Sequence, residues 1–354
     1  MGLLNIFKKK DSKQHSKGFY ELTVSEVKRL NNKSVMVTLD VPESLKTTFE
    51  YVPGQYLNFE VLINGEKLRR SYSICSGANE PLSVAVKAVD NGIVSNWFVN
   101  EVKQGTVLHV ARPEGNFKLS PEHKNVVAVA AGSGITPILS IAKSMPVGKM
   151  NLFYGNRSLS EAIFVNELRS LSNVSLNGFL SQEENTDFHK GRIDKDAFME
   201  IVKSDLDVLK ADVFFLCGPE GMIHDVKDVL KFFGVNESKI KFELFTTPTV
   251  DTSKPTDDEF KGVSHVRVIL DNESLDFDMK PGNATILDLV EKSGLDAPYS
   301  CRGGVCCSCK AKVLEGKATM RLNYSLTDEE VNNGYILTCQ AHPASENLTI
   351  SYDA

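Results

Sequence analysis

The tightest constraint in this chain is a run of cysteines, Cys301, Cys306 and Cys309, in the spacing C-x4-C-x2-C. Cys339 follows downstream in Leu337-Thr338-Cys339-Gln340. Two irons need two thiolates each, and only a tight loop brings three sulfurs to one small inorganic core. The spacing is that of a plant-type [2Fe-2S] ligand set. Gly303 and Gly304 suit such a loop, because glycine reaches backbone conformations other residues avoid and lets N–H groups approach the cluster sulfurs. Structural zinc also takes four cysteines, but its sites usually show paired C-x2-C knuckles. Here one pair is C-x4-C and the fourth ligand stands alone. Cys307 lies inside the loop but out of register. It reads as a spare buried thiol, with a redox-active nucleophile as the alternative. The pattern predicts an electron carrier.

At 354 residues the chain exceeds one ordinary domain of about 100–200 residues, so two or three are expected. Its 42% hydrophobic and 24% charged residues are those of a globular protein, and a net charge of -6 gives no basic field for nucleic acid. With four cysteines assigned to the cluster, Cys75, Cys217 and Cys307 follow no pairing pattern, which implies a reducing cytosol and a cytoplasmic protein. No stretch of about 20 apolar residues occurs, so no stable membrane insertion is expected. The start, Met1-Gly2-Leu3-Leu4-Asn5-Ile6-Phe7 before Lys8-Lys9-Lys10, places its apolar run ahead of its charges, the reverse of a secretory signal. Residues 1–17 read as a flexible tail, with a weak surface anchor as the alternative.

Residues 18–118 read as short strands, among them Val35-Met36-Val37-Thr38-Leu39, Gln55-Tyr56-Leu57-Asn58-Phe59 and Leu82-Ser83-Val84-Ala85-Val86. Turn signals Pro53-Gly54, Asn64-Gly65 and Asn91-Gly92 punctuate them. That argues a small antiparallel barrel. Residues 119–246 alternate continuous apolar strands with helical segments. Val126-Val127-Ala128-Val129-Ala130-Ala131 runs into Gly132-Ser133-Gly134-Ile135-Thr136-Pro137, read as a helix start with Thr136 able to cap and Pro137 at the first helical position. Asp212-Val213-Phe214-Phe215-Leu216 leads through Cys217-Gly218-Pro219 into a helix that stops near Gly234. This is parallel-sheet organisation. Residues 247–262 are polar, proline-bearing and aperiodic, a linker. Beyond it, residues 263–354 hold the strand His265-Val266-Arg267-Val268-Ile269-Leu270, a helix over 286–293 and the cysteine loop.

Nicotinamide gives two electrons as a hydride, whereas a cluster takes one, so a chain that joins them needs a flavin as converter. Arg70-Ser71-Tyr72-Ser73 and Gly92-Ile93-Val94-Ser95 resemble the R-x-Y-S flavin motif and the G-x-x-S pyrophosphate loop of the ferredoxin-NADP reductase superfamily. Pro113-Glu114-Gly115-Asn116-Phe117 follows them. Arg-Ser-Tyr-Ser alone also reads as an ordinary edge strand. The resemblance implies that Arg70 neutralises the flavin diphosphate and Tyr72 lies along the isoalloxazine or ribityl face. It also implies that Ser73 hydrogen-bonds near flavin N5, and that Val94 and Ser95 offer backbone or hydroxyl donors to phosphate.

Gly132, Gly134 and Thr136 offer bare backbone N–H groups at a helix N-terminus, which suits a pyrophosphate. The run is not G-x-G-x-x-G, and it resembles the superfamily's G-x-G-x-T/S-P element instead. Cys217-Gly218-Pro219 with Met222 resembles its C-G-P-x-x-M, whose cysteine sits by nicotinamide C4. A buried small hydrophobe is the alternative for Cys217. Arg157 and Ser158 follow a strand end where an arginine accommodates a 2'-phosphate, which favours NADPH over NADH. Arg157 also reads as a solvated surface charge. Phe245 ends the last strand of this unit, where relatives place an aromatic ring over the flavin. Core packing is the equal alternative.

The chain is thus identified as resembling the three-module reductases of oxygenases. Pro298-Tyr299-Ser300-Cys301-Arg302-Gly303-Gly304-Val305, Met320-Arg321-Leu322-Asn323-Tyr324 and Gly334-Tyr335-Ile336-Leu337-Thr338 most resemble the reductase family of the phenylacetyl-CoA epoxidases. The resemblance implies a multidomain α+β architecture with an antiparallel β-barrel FAD domain and an α/β nucleotide-binding domain with a parallel sheet. A C-terminal β-grasp, ferredoxin-like domain completes it. It also implies transfer from NAD(P)H through FAD and the [2Fe-2S] centre to a di-iron epoxidase. Rieske ring-hydroxylating or ketosteroid oxygenases are the alternative acceptors. A non-catalytic iron-sulfur sensor is a third reading, disfavoured because a sensor needs no flavin and nicotinamide motifs.

Overall fold

The computed structural model describes residues 16–245 and 256–354. The expected tail up to residue 15, and the part of the expected linker before residue 256, lie outside the described residues. Three sheets follow one another along the chain.

The first is antiparallel. Its strands are β1 (Phe19–Asn31), β2 (Ser34–Asp40), β3 (Tyr56–Ile63), β4 (Glu66–Ser73), β5 (Ser83–Lys87) and β6 (Val107–Ala111), in the order β4-β3-β6-β1-β2-β5. A bridge between Ile74 and Val84 brings the two edges together and closes the barrel. Asn64 and Gly65, at φ +53° and +81°, make the two-residue turn that joins β3 to β4. Inward side chains such as Leu22, Leu57, Phe59, Leu108 and Val110 fill the interior, and Phe98 of helix α1 (Ile93–Asn100) joins them.

The second sheet is parallel, with β7 (Asn125–Ala131), β8 (Lys149–Asn156), β9 (Val174–Leu180), β10 (His189–Lys190), β11 (Val213–Cys217) and β12 (Ile240–Glu243). Its order is β10-β9-β8-β7-β11-β12. Helices α2 (Ile135–Ser144), α3 (Val165–Ser170), α4 (Lys195–Ser204) and α5 (Glu220–Phe232) connect the strands. Side chains alternate between two cores: Val126, Ala128 and Ala130 face one, Val127 and Val129 the other. Strand order reverses at β7, which opens a crevice between the carboxyl ends of β7 and β11. Such a switch point is where open α/β sheets bind ligands.

The third sheet is formed by β13 (Ser264–Leu270), β14 (Glu273–Met279), β15 (Lys310–Glu315), β17 (Tyr335–Leu337) and β19 (Asn347–Ser351), with a small pair β16 (Ala318–Met320) and β18 (Ala341–Pro343) beside it. The parallel pairing of β13 with β19, and helix α6 (Ile286–Lys292) packed over the sheet, give the expected β-grasp form. Thr285 and Asp288 cap α6 reciprocally. The short helix α7 (Asp328–Asn332) has the same capping box. Residues 256–262 are fastened to this module. Glu259 is buried against Arg321 at 2.7 and 2.9 Å, and the Phe260 N–H donates to the Pro343 carbonyl at 2.9 Å.

Candidate electron-transfer site

Strand β4 carries the Arg-Ser-Tyr-Ser run, and its period-two alternation directs the geometry of the site. Arg69, Ser71 and Ser73 reach, in turn, the turn after α6, the cysteine loop and the nucleotide sheet. Arg69 pairs with Asp296 at 2.6 Å, the Ser71 and Ser300 hydroxyls meet at 2.8 Å, and the Ser73 hydroxyl donates to Glu243 at 3.4 Å. Arg70 and Tyr72 take the other register. Arg70 is exposed and donates one N–H to the Arg69 carbonyl, while Tyr72 packs edge-on against Phe98 at 5.1 Å.

Gly92 caps α1 with no side-chain bond. A Cβ there would come within 2.6 Å of the Ser95 hydroxyl, so the close packing of this turn requires glycine. The Ser95 hydroxyl accepts from the Val89 N–H at 3.1 Å and donates to the Gly92 carbonyl, and Val94 is buried in the barrel core. The Ser95 hydroxyl closes its own turn, so of the backbone or hydroxyl donors expected from Val94 and Ser95 the backbone N–H groups are the ones left unspent. The first-turn N–H groups of α1 remain as the donors this segment can offer an anion.

Gly132 to Gly134 form a 3-10 turn ahead of α2, and Gly132 sits at φ +55°. A Cβ on Gly134 would lie 2.1 Å from the Cys217 carbonyl oxygen, and one on Gly218 2.7 Å from Met222 Cε. Gly134 thus presses the first motif against the backbone of Cys217, a packing only glycine permits, while Gly218 lies against Met222 of its own motif. Thr136 and Pro137 are the second and third helical residues, and the Thr136 hydroxyl donates to the Ser133 carbonyl at 3.0 Å. The expected threonine cap is corrected: the 3-10 turn starts the coil earlier than the proline signal placed it. Pro219 precedes α5 at its N-cap position.

Cys217 is fully buried and pairs in register with Glu243 of the neighbouring strand. Burial pushes the Glu243 carboxyl up to about 8, and burial also raises the Cys217 thiol, with the Glu243 charge adding to it. Ser73, Cys217 and Glu243 therefore converge from two modules. Phe245, two residues on, is 42% exposed, too open for a core side chain. At the far edge, Arg157 is exposed and its carbonyl accepts from the Gln182 N–H. The Ser158 hydroxyl bonds Ser160, and Glu183 accepts the Leu159 N–H at 2.8 Å.

The four thiols of the cysteine loop come together. Cys306 Sγ lies 3.0 Å from Cys301 Sγ, and Cys339 is in hydrogen-bond contact with both Cys301 and Cys309. The Gly303 N–H donates to Cys301 Sγ at 3.3 Å, and the Cys301 N–H to Cys306 Sγ at 3.5 Å. Bonds from Cys306 first, then Cys339, hold the Cys301 thiol far below the ordinary range. Cys301 stands beside Cys306, and Cys309 beside Cys339, two thiol pairs of the kind that can each hold one iron of a two-iron cluster. Burial pushes the Cys307 thiol up to about 11, which suits a spare buried thiol better than a nucleophile.

This loop lies against the barrel. The Cys307 N–H donates to the Tyr56 hydroxyl at 3.2 Å. Asn58 donates to Ser308 at 2.9 Å and to Glu114 at 3.0 Å, and accepts from Ser71 at 2.6 Å. Val305 and Tyr324 pack on the nucleotide core. The cysteine loop thus touches both other modules.

Three family models match in the same order: the oxidoreductase FAD-binding domain over residues 21–119, the oxidoreductase NAD-binding domain over 128–228, and the 2Fe-2S iron-sulfur cluster binding domain over 268–344. Over 350 residues the chain is 35% identical to the E component of the 1,2-phenylacetyl-CoA epoxidase of Escherichia coli (strain K12), covering 95% of this chain and 98% of that protein. It is 31% identical to the 3-ketosteroid-9-alpha-monooxygenase ferredoxin reductase component of Rhodococcus rhodochrous, covering 94% and 96%. The chain belongs to the three-module flavin, nicotinamide and [2Fe-2S] reductases of oxygenase systems.

The solved phthalate dioxygenase reductase shares the fold of this reductase, at TM-score 0.59 and 24% identity over 94% of this chain and 98% of that one. Bound FAD would supply the conversion of a two-electron hydride from NAD(P)H into single electrons, and a [2Fe-2S] centre would supply their onward transfer. The reductase's own residues fit this chemistry: bare N–H groups at two helix starts, a half-buried carboxyl and a buried thiol at the crevice, and four converging sulfurs. Three residues at the module junctions, Glu243, Asn58 and Arg69, belong to none of the motifs legible in the sequence. Glu243 left one signal, a carboxylate in the otherwise apolar Phe242-Glu243-Leu244-Phe245 at a strand's carboxyl end. No helix among the described residues is long and apolar enough to cross a membrane.

Proposed function

We propose that the electron acceptor of this reductase is the di-iron oxygenase of a phenylacetyl-CoA epoxidase, and that the chain works in the cytoplasm. The similarity to the Escherichia coli protein over nearly the whole of both chains carries the reading. Charge distribution supports a protein acceptor. Residues 256–354 hold 16 acidic against 9 basic residues, so the chain's negative balance resides in the ferredoxin module, which suits docking to a basic surface. Reductases of ketosteroid and glycine betaine monooxygenases, at 31% and 29% identity, keep a Rieske-type acceptor as the second reading.

In this reading Arg70 and the α1 start, with Gly92, Val94 and Ser95 as its first turn, bind the flavin diphosphate. Tyr72 lies along the ring with Ser71 beside it in the motif, facing the cysteine loop, and Phe245 covers the ring's face. Gly132, Gly134, Thr136, Gly218 and Pro219 line the nucleotide crevice, while Ser73 and Cys217 orient the hydride. Arg157 and Ser158 grip the adenosine ribose and favour NADPH. The Glu183 carboxylate, which accepts the Leu159 N–H beside them, works against that preference, and the nucleotide titration ranks the two. Cys301, Cys306, Cys309 and Cys339 hold the cluster.

Anaerobic titration with NADPH and then NADH, followed by visible absorbance and electron paramagnetic resonance, tests the reductase and ranks the nucleotides. Reconstitution with a purified di-iron epoxidase and, separately, a Rieske oxygenase tests the acceptor. Turnover with the Rieske enzyme alone overturns the proposal.

A further inference from the structure

Outside the motifs, the most heavily engaged side chain at the module junction is Arg69, which is 1% exposed. Its guanidinium holds carboxylates from two modules: Glu60 of the barrel at 2.9 Å and Asp296 of the ferredoxin module at 2.6 Å. It donates to the Ala297 carbonyl at 3.0 Å and to the Ser16 hydroxyl at 2.5 Å. The Phe19 and Tyr299 rings lie against it at 5.1 and 4.7 Å. Such an arrangement uses the planar fork, the fixed charge and the stacking face of arginine together, which no other side chain combines.

Its position along the chain matters as much as its bonds. Arg69 directly precedes the flavin motif, and its contacts Asp296, Ala297 and Tyr299 directly precede Ser300 and Cys301. Two residues further along β4, Ser71 meets Ser300. The segment that leads into the cysteine ligands is therefore aligned along the strand that carries the flavin motif. Buried ion pairs fix geometry more than they add net stability, because desolvation offsets much of the attraction.

We propose that Arg69 is the positioning residue for internal electron transfer, which holds the cluster-bearing segment 296–301 in register along β4. The proposal rests on the reductase reading above. Each hydride brings two electrons, which cross this junction one at a time and leave for the acceptor. Arg69 gains and loses nothing and acts only through geometry.

The test uses the holoprotein and the variants Arg69→Met, Arg69→Lys and Asp296→Asn. The last leaves the Arg69 to Glu60 pair within the barrel and guards against a misfolded Arg69→Met. Hydrogen exchange, read by mass spectrometry, should quicken by about tenfold across residues 296–308 in Arg69→Met and Asp296→Asn, and less in Arg69→Lys. In anaerobic rapid mixing with NADPH or NADH, bleaching of the flavin band should stay within about twofold of the parent, while bleaching of the cluster band slows by about tenfold or more. Parent-like exchange and cluster kinetics in Arg69→Met and Asp296→Asn overturn the proposal. So does a flavin-band rate that falls in the same proportion, since Arg69 would then act in the flavin site. A parent protein whose flavin does not respond to nucleotide overturns the reductase reading instead, and exchange at the junction still reads the role of Arg69.

Discussion

Against the nucleotide module, the barrel lends Cys75, Ala85 and Phe117 to a shared apolar core. Against the ferredoxin module it offers Tyr56, Asn58, Arg69 and Ser71, all through polar groups. Among the described residues, the barrel and ferredoxin cores have no member in common. Apolar burial is non-directional and scales with area, roughly 25 cal/mol per Å². It makes one body of the two modules that must trap a hydride between them. Hydrogen bonds contribute only about 0.5–1.5 kcal/mol each in net terms but are strict about angle and distance. The second junction is therefore better at aiming a cluster than at gluing it.

The strongest way to break this contrast is Cys309→Ser. Electron delivery to a protein acceptor should fall to background while nucleotide-dependent reduction of a two-electron dye survives. Loss of dye reduction with the flavin still bound would show that the modules are not separable. Next is Phe117→Ala at the apolar junction, where the ring stands 4.8 Å from Phe215. Urea unfolding should show a loss of about 3–5 kcal/mol, shared by the barrel and nucleotide modules.

Asn58→Ala sharpens the comparison from the polar side. It leaves Ser308, Ser71 and Glu114 each short of a partner and should cost about 1–3 kcal/mol, read as faster exchange in the cysteine loop. The barrel and nucleotide transition should barely move. If Asn58→Ala and Phe117→Ala destabilise the same transition equally, the distinction between the junctions fails.

The smallest effect concerns Glu243, where the nucleotide module meets Ser73. Desolvation pushes its carboxyl up to about 8 from the ordinary 4.5. The folded chain thus holds a proton there that the unfolded chain has released. The stability associated with that proton is greatest below the ordinary value and is lost as pH rises through 8. The rate of flavin reduction should show an inflection near pH 8 that Glu243→Gln abolishes, with little change at pH 7. An inflection that survives in Glu243→Gln belongs to another group.

Much of the molecule is legible in the order of its residues. The Cys301, Cys306, Cys309 spacing, the glycines at 132, 134 and 218, and the turn at Asn64-Gly65 each describe sites built within one loop. The chemistry of such a site demands residue types at short intervals. Other features resist reading. Arg69 and Arg70 are adjacent and identical, and only strand parity decides that one is exposed at the flavin motif and the other buried against the ferredoxin module. Ser95 offers a backbone or a hydroxyl donor in the sequence, and only the structure shows its hydroxyl closing its own turn. Thr136 looks like a cap until the 3-10 turn ahead of it is seen.

The sequence by itself determined the iron-sulfur cysteine spacing and the order of the three modules, because those depend on local spacing and periodicity. The tertiary structure alone decided which side chains face one another across the junctions. Arg69 and Asp296 lie 227 residues apart, and Ser73 and Glu243 lie 170 apart. Nothing in the spacing of either segment encodes the other, since their meeting depends on strand parity, sheet order and how separately folded modules dock.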